Sequence, residues 1–235
     1  MSGWTAKRFW KAASAEPSAG GFTVRLDGRP VKTPAKTPLI VPTLGMAQAI
    51  AAEWDAQQGA IRPETMPATR AANSALDKVA PLFDAVVDEV AGYGGSDLLC
   101  YRAEGPMELV ARQAAEWQPM LDWAAGAFDA PLVVTSGVIP VAQPADSLSR
   151  LRAVVAAETA FRLAALHDLV AITGSLVLGL AVAHGRISAP QAFDISRIDE
   201  RWQAEQWGED EEAAAAEALR RASLLDAARF YGLCR

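Results

Sequence analysis

Histidine and cysteine are scarce: the 235 residues hold two of each, His167, His184, Cys100 and Cys234. Two thiols make neither a disulfide framework nor a zinc cluster, and two imidazoles leave a three-ligand metal site dependent on carboxylates. That usage fits a reducing compartment, the cytoplasm. The first thirty residues contain no apolar h-region and no long Arg/Ser-rich amphipathic stretch, so neither a secretory signal nor an organelle presequence is expected. Long hydrophobic runs are missing too. The most apolar segment, Leu169 to Ala183, is fifteen residues long and is interrupted by Thr173, Gly174 and Ser175. It is too short to span a bilayer and reads as a buried core helix. There is no internal repeat, and Ala213 to Ala216 is low in complexity only because it is good helix.

The remaining composition is that of a globular protein, with 51% hydrophobic and 21% charged residues. Net charge is −6, unevenly spread. The first forty residues carry Lys7, Arg8, Lys11, Arg25, Arg29, Lys32 and Lys36 against Glu16 and Asp27, so the rest sums to −11. A small basic head on an acidic body, without regularly spaced stacking aromatics, argues against a nucleic-acid partner.

The pattern changes near residue 43. Phe22-Thr23-Val24-Arg25-Leu26 alternates and runs into Asp27-Gly28, a hairpin turn with Val31-Lys32-Thr33 returning. Leu39-Ile40-Val41 is a third short strand, giving an antiparallel unit with Lys and Arg on one face. From Thr43, a helix cap, the periodicity is helical, with Met46, Ile50 and Trp54 on one stripe. Further helices are expected at about 69–90, from Pro106, and at about 146–171, 174–184, 189–206 and 209–231. The extended stretch Leu132 to Ile139 interrupts them and is expected to pack on the N-terminal sheet or form a local hairpin. The fold class is therefore α+β: a small antiparallel β-rich domain at 1–65 and a larger helical domain at 66–235, with segment 131–141 extended.

Catalytic constellations are thin. Gly92-Tyr93-Gly94-Gly95-Ser96 lacks the Lys-Ser/Thr ending of a phosphate loop and follows a helix instead of a strand, so it reads as a helix-ending turn. Cys100 with His167 and Asp168 would be a nucleophile, base and orienter. Neighbouring residues on a helix diverge by about 100°, which argues against the His167–Asp168 pair lining up. A buried, inert Cys100 is the simpler reading. Asp97 and Arg102 are expected to form a buried ion pair, and Asn73 with Asp77 a polar contact between helices. No cofactor, metal or catalytic set is expected, so the chain reads as a non-enzyme; the alternatives are a cysteine- or carboxylate-dependent hydrolase, or a helical scaffold for another partner.

The most informative run is Trp202-Gln203-Ala204-Glu205-Gln206-Trp207-Gly208-Glu209-Asp210-Glu211-Glu212. Two indoles beside dense carboxylate at a helix junction read as a docking surface. Acids in the first turn of the following helix, complementing its dipole, read equally well.

Several motifs in one order resemble a known family: Arg8-Phe9-Trp10-Lys11; Leu26 to Pro34 (LDGRPVKTP); Glu53-Trp54; Met66-Pro67-Ala68-Thr69-Arg70; Ser96 to Ala103 (SDLLCYRA); Thr173-Gly174-Ser175; and Trp207-Gly208-Glu209-Asp210. Together they resemble the ATP-twelve family of assembly chaperones, over about residues 8 to 212. The resemblance implies a β-rich N-terminal domain joined to a helical one. It also implies an ATP-independent chaperone without cofactor, which binds the unassembled alpha subunit of the F-type ATP synthase catalytic sector and promotes its assembly with beta. On that resemblance Glu209 is the acidic position the family needs, joined at the client contact by Asp210, Trp207, Glu205 and Trp202, with the basic N-terminal face a second candidate. Trp54 is a core anchor. Without a presequence, the chain looks like a cytoplasmic bacterial relative, monomeric when free and not inserted in a membrane.

Overall fold

The structure is a computed structural model that describes residues 7–137, 139–208 and 210–235. Two compact units emerge. The first is the chain up to Phe83 with Ala160–Ala165 and Arg229–Arg235; the second, larger one is Asp84–Thr159 with Leu166–Ala228. A small antiparallel sheet and a larger helical part are thus both present, the α+β class that the patterning implies.

In the first unit, β2 (Gly21–Leu26) is the central strand. Along one edge runs β1 (Ala13–Ser18), in register from Ala13 opposite Leu26 to Ser18 opposite Gly21. On its other edge, β3 (Arg29–Pro30) pairs with Arg25 and Leu26, while β4 (Ile40–Val41) pairs with Phe22 and Thr23. The turn between β2 and β3 has φ 49° at Asp27 and 80° at Gly28, the two positive values a type I′ hairpin needs. β1 was not foreseen, because its Ser14, Glu16 and Pro17 carry little strand propensity. What holds it is the ladder to β2 and the Asp27 carboxylate, which accepts the N–H groups of Lys11 and Ala12. Gly21 sits where the chain passes close to β4; a Cβ there would run into the Val41 carbonyl oxygen.

Across β1 and β2 lies α1 (Leu44–Asp55), whose first turn is capped as expected: the Met46 N–H donates to Thr43 Oγ1 at 3.1 Å. Beyond it, the single helix anticipated at 69–90 is three pieces: α2 (Pro67–Ser74), a π turn (Ala75–Val79) and α3 (Phe83–Gly92). Pro81 has no N–H to give the Asp77 carbonyl, and its ring breaks the helix. Nor do Asn73 and Asp77 form the anticipated contact. The Asp77 carboxylate accepts from Thr33 Oγ1 and the Ala35 N–H, while the buried Asn73 carbonyl oxygen has no hydrogen-bond partner among the described residues.

The second unit is built on α4 (Met107–Phe128), α5 (Ala145–Ala156), most of α6 (Ala160–Thr173), α7 (Leu176–Ala183), α8 (Ala189–Ser196), α9 (Ile198–Trp207) and much of α10 (Glu211–Leu233). α7, which carries no polar side chain, is buried along almost all its length against α4 and α8. Trp117 of α4 is fully buried, and its indole N–H donates to the Ile195 carbonyl at 2.9 Å. Ser188 and Gln191 make a capping box at the start of α8. Two long helices expected at 146–171 and 189–206 are each broken, at Ala157–Thr159 and at Arg197.

Among its described residues, the extended stretch contributes a short strand to the second unit. Its β6 (Thr135–Ser136) lies parallel to β5 (Tyr101–Arg102), and the Gly137 N–H donates to the Arg102 carbonyl. Just before β6, the Gln143 amide grips both backbone groups of Val133: it accepts the Val133 N–H at 2.7 Å and donates to the Val133 carbonyl at 2.9 Å.

Candidate functional site

Of the residues singled out by sequence, most outside the Trp202–Glu212 run turn out to lock elements together. The Arg8 guanidinium donates to the carbonyls of Trp10, Lys11, Asp55 and Gln57 and pairs with Asp55 at 3.0 Å. Arg25 pairs with Glu16. Those two cations of the basic head are therefore committed inside the first unit, while Lys7, Lys11, Arg29, Lys32 and Lys36 stay exposed. Glu53 caps α2, accepting the N–H groups of Ala68 and Thr69 and the Thr69 hydroxyl. Beside it, half-buried Trp54 stacks edge-on against buried Trp10, their centroids 5.2 Å apart.

The Ser96–Ala103 and Thr173–Ser175 motifs meet in the second unit. The fully buried Asp97 carboxylate accepts the N–H groups of Leu99 and Val177, so it caps both its own turn and the start of α7, and the Leu98 N–H donates to the Gly174 carbonyl. Burial pushes the Asp97 carboxyl up to about 6, partly opposed by those hydrogen bonds. The ion pair expected with Arg102 does not form. Backbone N–H groups take both carboxylate oxygens, and the Arg102 guanidinium turns to the Leu99 carbonyl and lies over Trp117 at 5.2 Å.

Cys100 is fully buried, and burial together with Asp97 pushes its thiol up to about 12. Such a sulfur is protonated at neutral pH and sealed from reagents. His167 and Asp168 do come within 3.1 Å, contrary to the expectation from helical spacing, because side-chain rotation closes an arc that backbone geometry opens. Glu89 lies 3.6 Å from the other ring nitrogen, and hydrogen bonding to Asp168 raises the His167 pKa.

At the α9–α10 junction, the structure sorts the five expected client-contact residues. Trp202 is only 6% exposed and belongs to the core with Trp117, Leu121 and Ile198; as a surface contact it is corrected. Arg112 of α4 covers it, 4.8 Å from the ring centroid, and is held there by Glu205 at 2.8 Å. That hydrogen bond lowers the Glu205 pKa and leaves its carboxylate already partnered. Trp207 is the opposite case, 80% exposed at the last position of α9. Gly208 then turns the chain at φ 92°, and the Asp210 carboxylate accepts the Glu212 N–H at 3.2 Å, capping α10. Glu209 lies outside the described residues.

Trp207, Gly208 and Asp210 form the lip of a cleft of about 630 Å³ between α9 and the first turns of α10, with Ala213, Ala214 and Glu217 on its far wall. A second cleft, of about 510 Å³, opens between α4, α8 and α9. Arg201 lines both, paired with Asp194 on one side and 3.9 Å from Glu217 on the other. Sequence reasoning missed the second cleft altogether, since Arg112 and Glu205 lie 93 positions apart. The split between the two indoles was within its reach: five positions on a helix put side chains about 140° apart, one inward and one outward.

A family model described as ATP12 chaperone protein matches residues 7–125, just over half of the chain. The chain belongs to the ATP12 chaperone family. Crystallised Atp12 from Paracoccus denitrificans is 54% identical, with a TM-score of 0.96 over 99% of this chain and all of that one. The Atu1473 protein of Agrobacterium tumefaciens is 39% identical, with a TM-score of 0.93 over 97% of this chain and 86% of that one. A more distant relative, mitochondrial atp12 of Schizosaccharomyces pombe, is 23% identical over 88% of this chain and 75% of its own length. The family model stops well before the α9–α10 junction, whereas the Paracoccus Atp12 likeness extends through it.

Among the described residues no helix is long and apolar enough to cross a membrane, and no group of three His, Cys, Asp or Glu side chains is arranged to hold a metal ion.

Proposed function

We propose that this chaperone of ATP synthase assembly binds the unassembled alpha subunit of the F-type ATP synthase catalytic sector, keeps it from aggregating and yields it to beta. It does so as a monomer in the bacterial cytoplasm, without ATP, metal or cofactor. The carrying observation is Trp207, an indole 80% exposed on the lip of an open cleft beside Asp210. A large aromatic left in water at the end of a helix does nothing for this fold, and indoles are the side chains that concentrate binding energy at protein interfaces.

The client contact is Trp207, Asp210 and Glu209; Glu205, paired with Arg112, lines the neighbouring cleft, and Trp202 belongs to the core. An alpha subunit without beta exposes the apolar surface that beta later covers, and such surfaces self-associate. A chaperone that covers it and then lets go needs aromatic contacts for affinity and charges for selectivity and rate. The hydrolase alternative finds no support at Cys100, a protonated thiol without access.

The test mixes purified alpha subunit, diluted from denaturant, with this protein and follows light scattering and gel filtration. Suppressed scattering and a stable complex are expected; neither appearing sinks the proposal. In the same assay Glu209→Lys should weaken the complex and leave the far-UV spectrum unchanged. If that substitution instead unfolds the protein, the contact is assigned to the wrong residue.

A further inference from the structure

We propose that the cleft between α4, α8 and α9 is a second docking groove, and that its occupant is an apolar helical segment of the client carrying a flanking Lys or Arg. The inference rests on the alpha-subunit reading above and extends it to the chemistry of the segment held.

The floor of the groove is Met120, Ile187, Ile195 and Ile198, with Pro119 on its wall. A volume of about 510 Å³ lies in the range that takes a cluster of a few large side chains. Helices seat such clusters by presenting residues at i, i+3, i+4 and i+7 to an apolar groove.

The rim decides the sign of the partner. Both of its cations are already engaged within the fold, Arg112 by Glu205 and Arg201 by Asp194. Glu116, exposed between them, has no ion pair or hydrogen bond among the described residues. A second acceptor stands beside it. Pro119 has no N–H to donate to the carbonyl four positions back, and that carbonyl belongs to Ala115, which also lines the groove. The group without a partner is thus a carboxylate, beside a carbonyl whose usual helical donor is a proline, a setting for a cation or an N–H donor and a poor one for an acidic segment. Arg201 is shared with the α9–α10 cleft, so the two clefts adjoin at one side chain.

The experiment uses the full chain and purified alpha subunit. Ala115→Trp fills the groove from an exposed helix position, and Glu116→Lys reverses its free charge; melting curves and far-UV spectra establish that both variants are folded. Each should weaken the complex about tenfold or more. A photo-crosslinking phenylalanine analogue at Ala115 should capture one alpha-subunit peptide with apolar residues at helical spacing and a neighbouring Lys or Arg. If the wild type holds the alpha subunit and both variants hold it equally well, the groove is overturned and the chaperone reading stands. Failure of the wild type itself to hold the alpha subunit removes both. Crosslinking to a second copy of this chain, or to a peptide without a cation, overturns the occupant proposed here.

Discussion

Asp97 offers the sharpest test at the level of single residues. Its carboxyl titrates near 3.8 when exposed and near 6 when buried between two backbone N–H donors. The unfolded chain therefore releases this proton first. Stability falls as pH rises from about 4 to about 6, and above that window the penalty is complete, on the order of 3 kcal/mol. Urea midpoints of the wild type and Asp97→Asn should diverge across that window, because Asn does not ionise; parallel curves would remove Asp97 as the titrating group. Cys100 gives a second measurement. With its thiol near 12 and no exposure, iodoacetamide should leave it unmodified in native protein and label it only in urea. The two indoles of α9 give a third. Trp202→Ala should cost about 3–5 kcal/mol, as for a large side chain cut from a core, whereas Trp207→Ala should change stability by less than about 0.5 kcal/mol. If Trp207→Ala destabilises as much as Trp202→Ala, the exposed indole is structural and loses its place in the client contact.

Among the elements, what sequence revealed depended on whether the deciding chemistry was local. Asp27-Gly28 announced its hairpin because both residues tolerate positive φ, and Thr43 and Ser188 announced helix starts because their hydroxyls reach an N–H three residues on. Pro81 was equally local and should have divided the helix expected at 69–90. Other features had no local sign. β1 is a strand because β2 pairs with it, and β6 is one because it pairs with β5, some thirty positions away. The candidate site divides in the same way: the aromatic-acidic run stood out as composition, but the Arg112 cover over Trp202 and the groove beside it exist only once three helices are assembled. The Glu53 cap on α2 carries a prediction at this scale. Glu53→Ala leaves the Ala68 and Thr69 N–H groups and the Thr69 hydroxyl without their acceptor, and should lower stability by about 2–3 kcal/mol in urea. A loss below about 0.5 kcal/mol would mean that Pro67 and packing suffice to start the helix.

Taken as a whole molecule, a chaperone that keeps a client from aggregating, as proposed above, faces the same hazard itself. On that reading it has to display adhesive surface without adhering to itself, and an extended segment such as Val133-Val134-Thr135, with Val133 and Val134 substantially exposed, is the kind of edge that templates pairing between chains. The Gln143 amide answers that hazard. By occupying the N–H and the carbonyl of Val133 together, it plays the part of one residue of a neighbouring strand, a dummy partner that leaves an incoming chain nothing to bond to at that point. Gln143→Met keeps the bulk and removes the amide, so it should leave the complex with the alpha subunit intact while the protein alone loses solubility with concentration and time. Unchanged light scattering from concentrated Gln143→Met would show that the edge needs no guard. If scattering instead rises, the discrimination between client and self rests partly on a single side-chain amide, far in sequence from the residues proposed to touch the client.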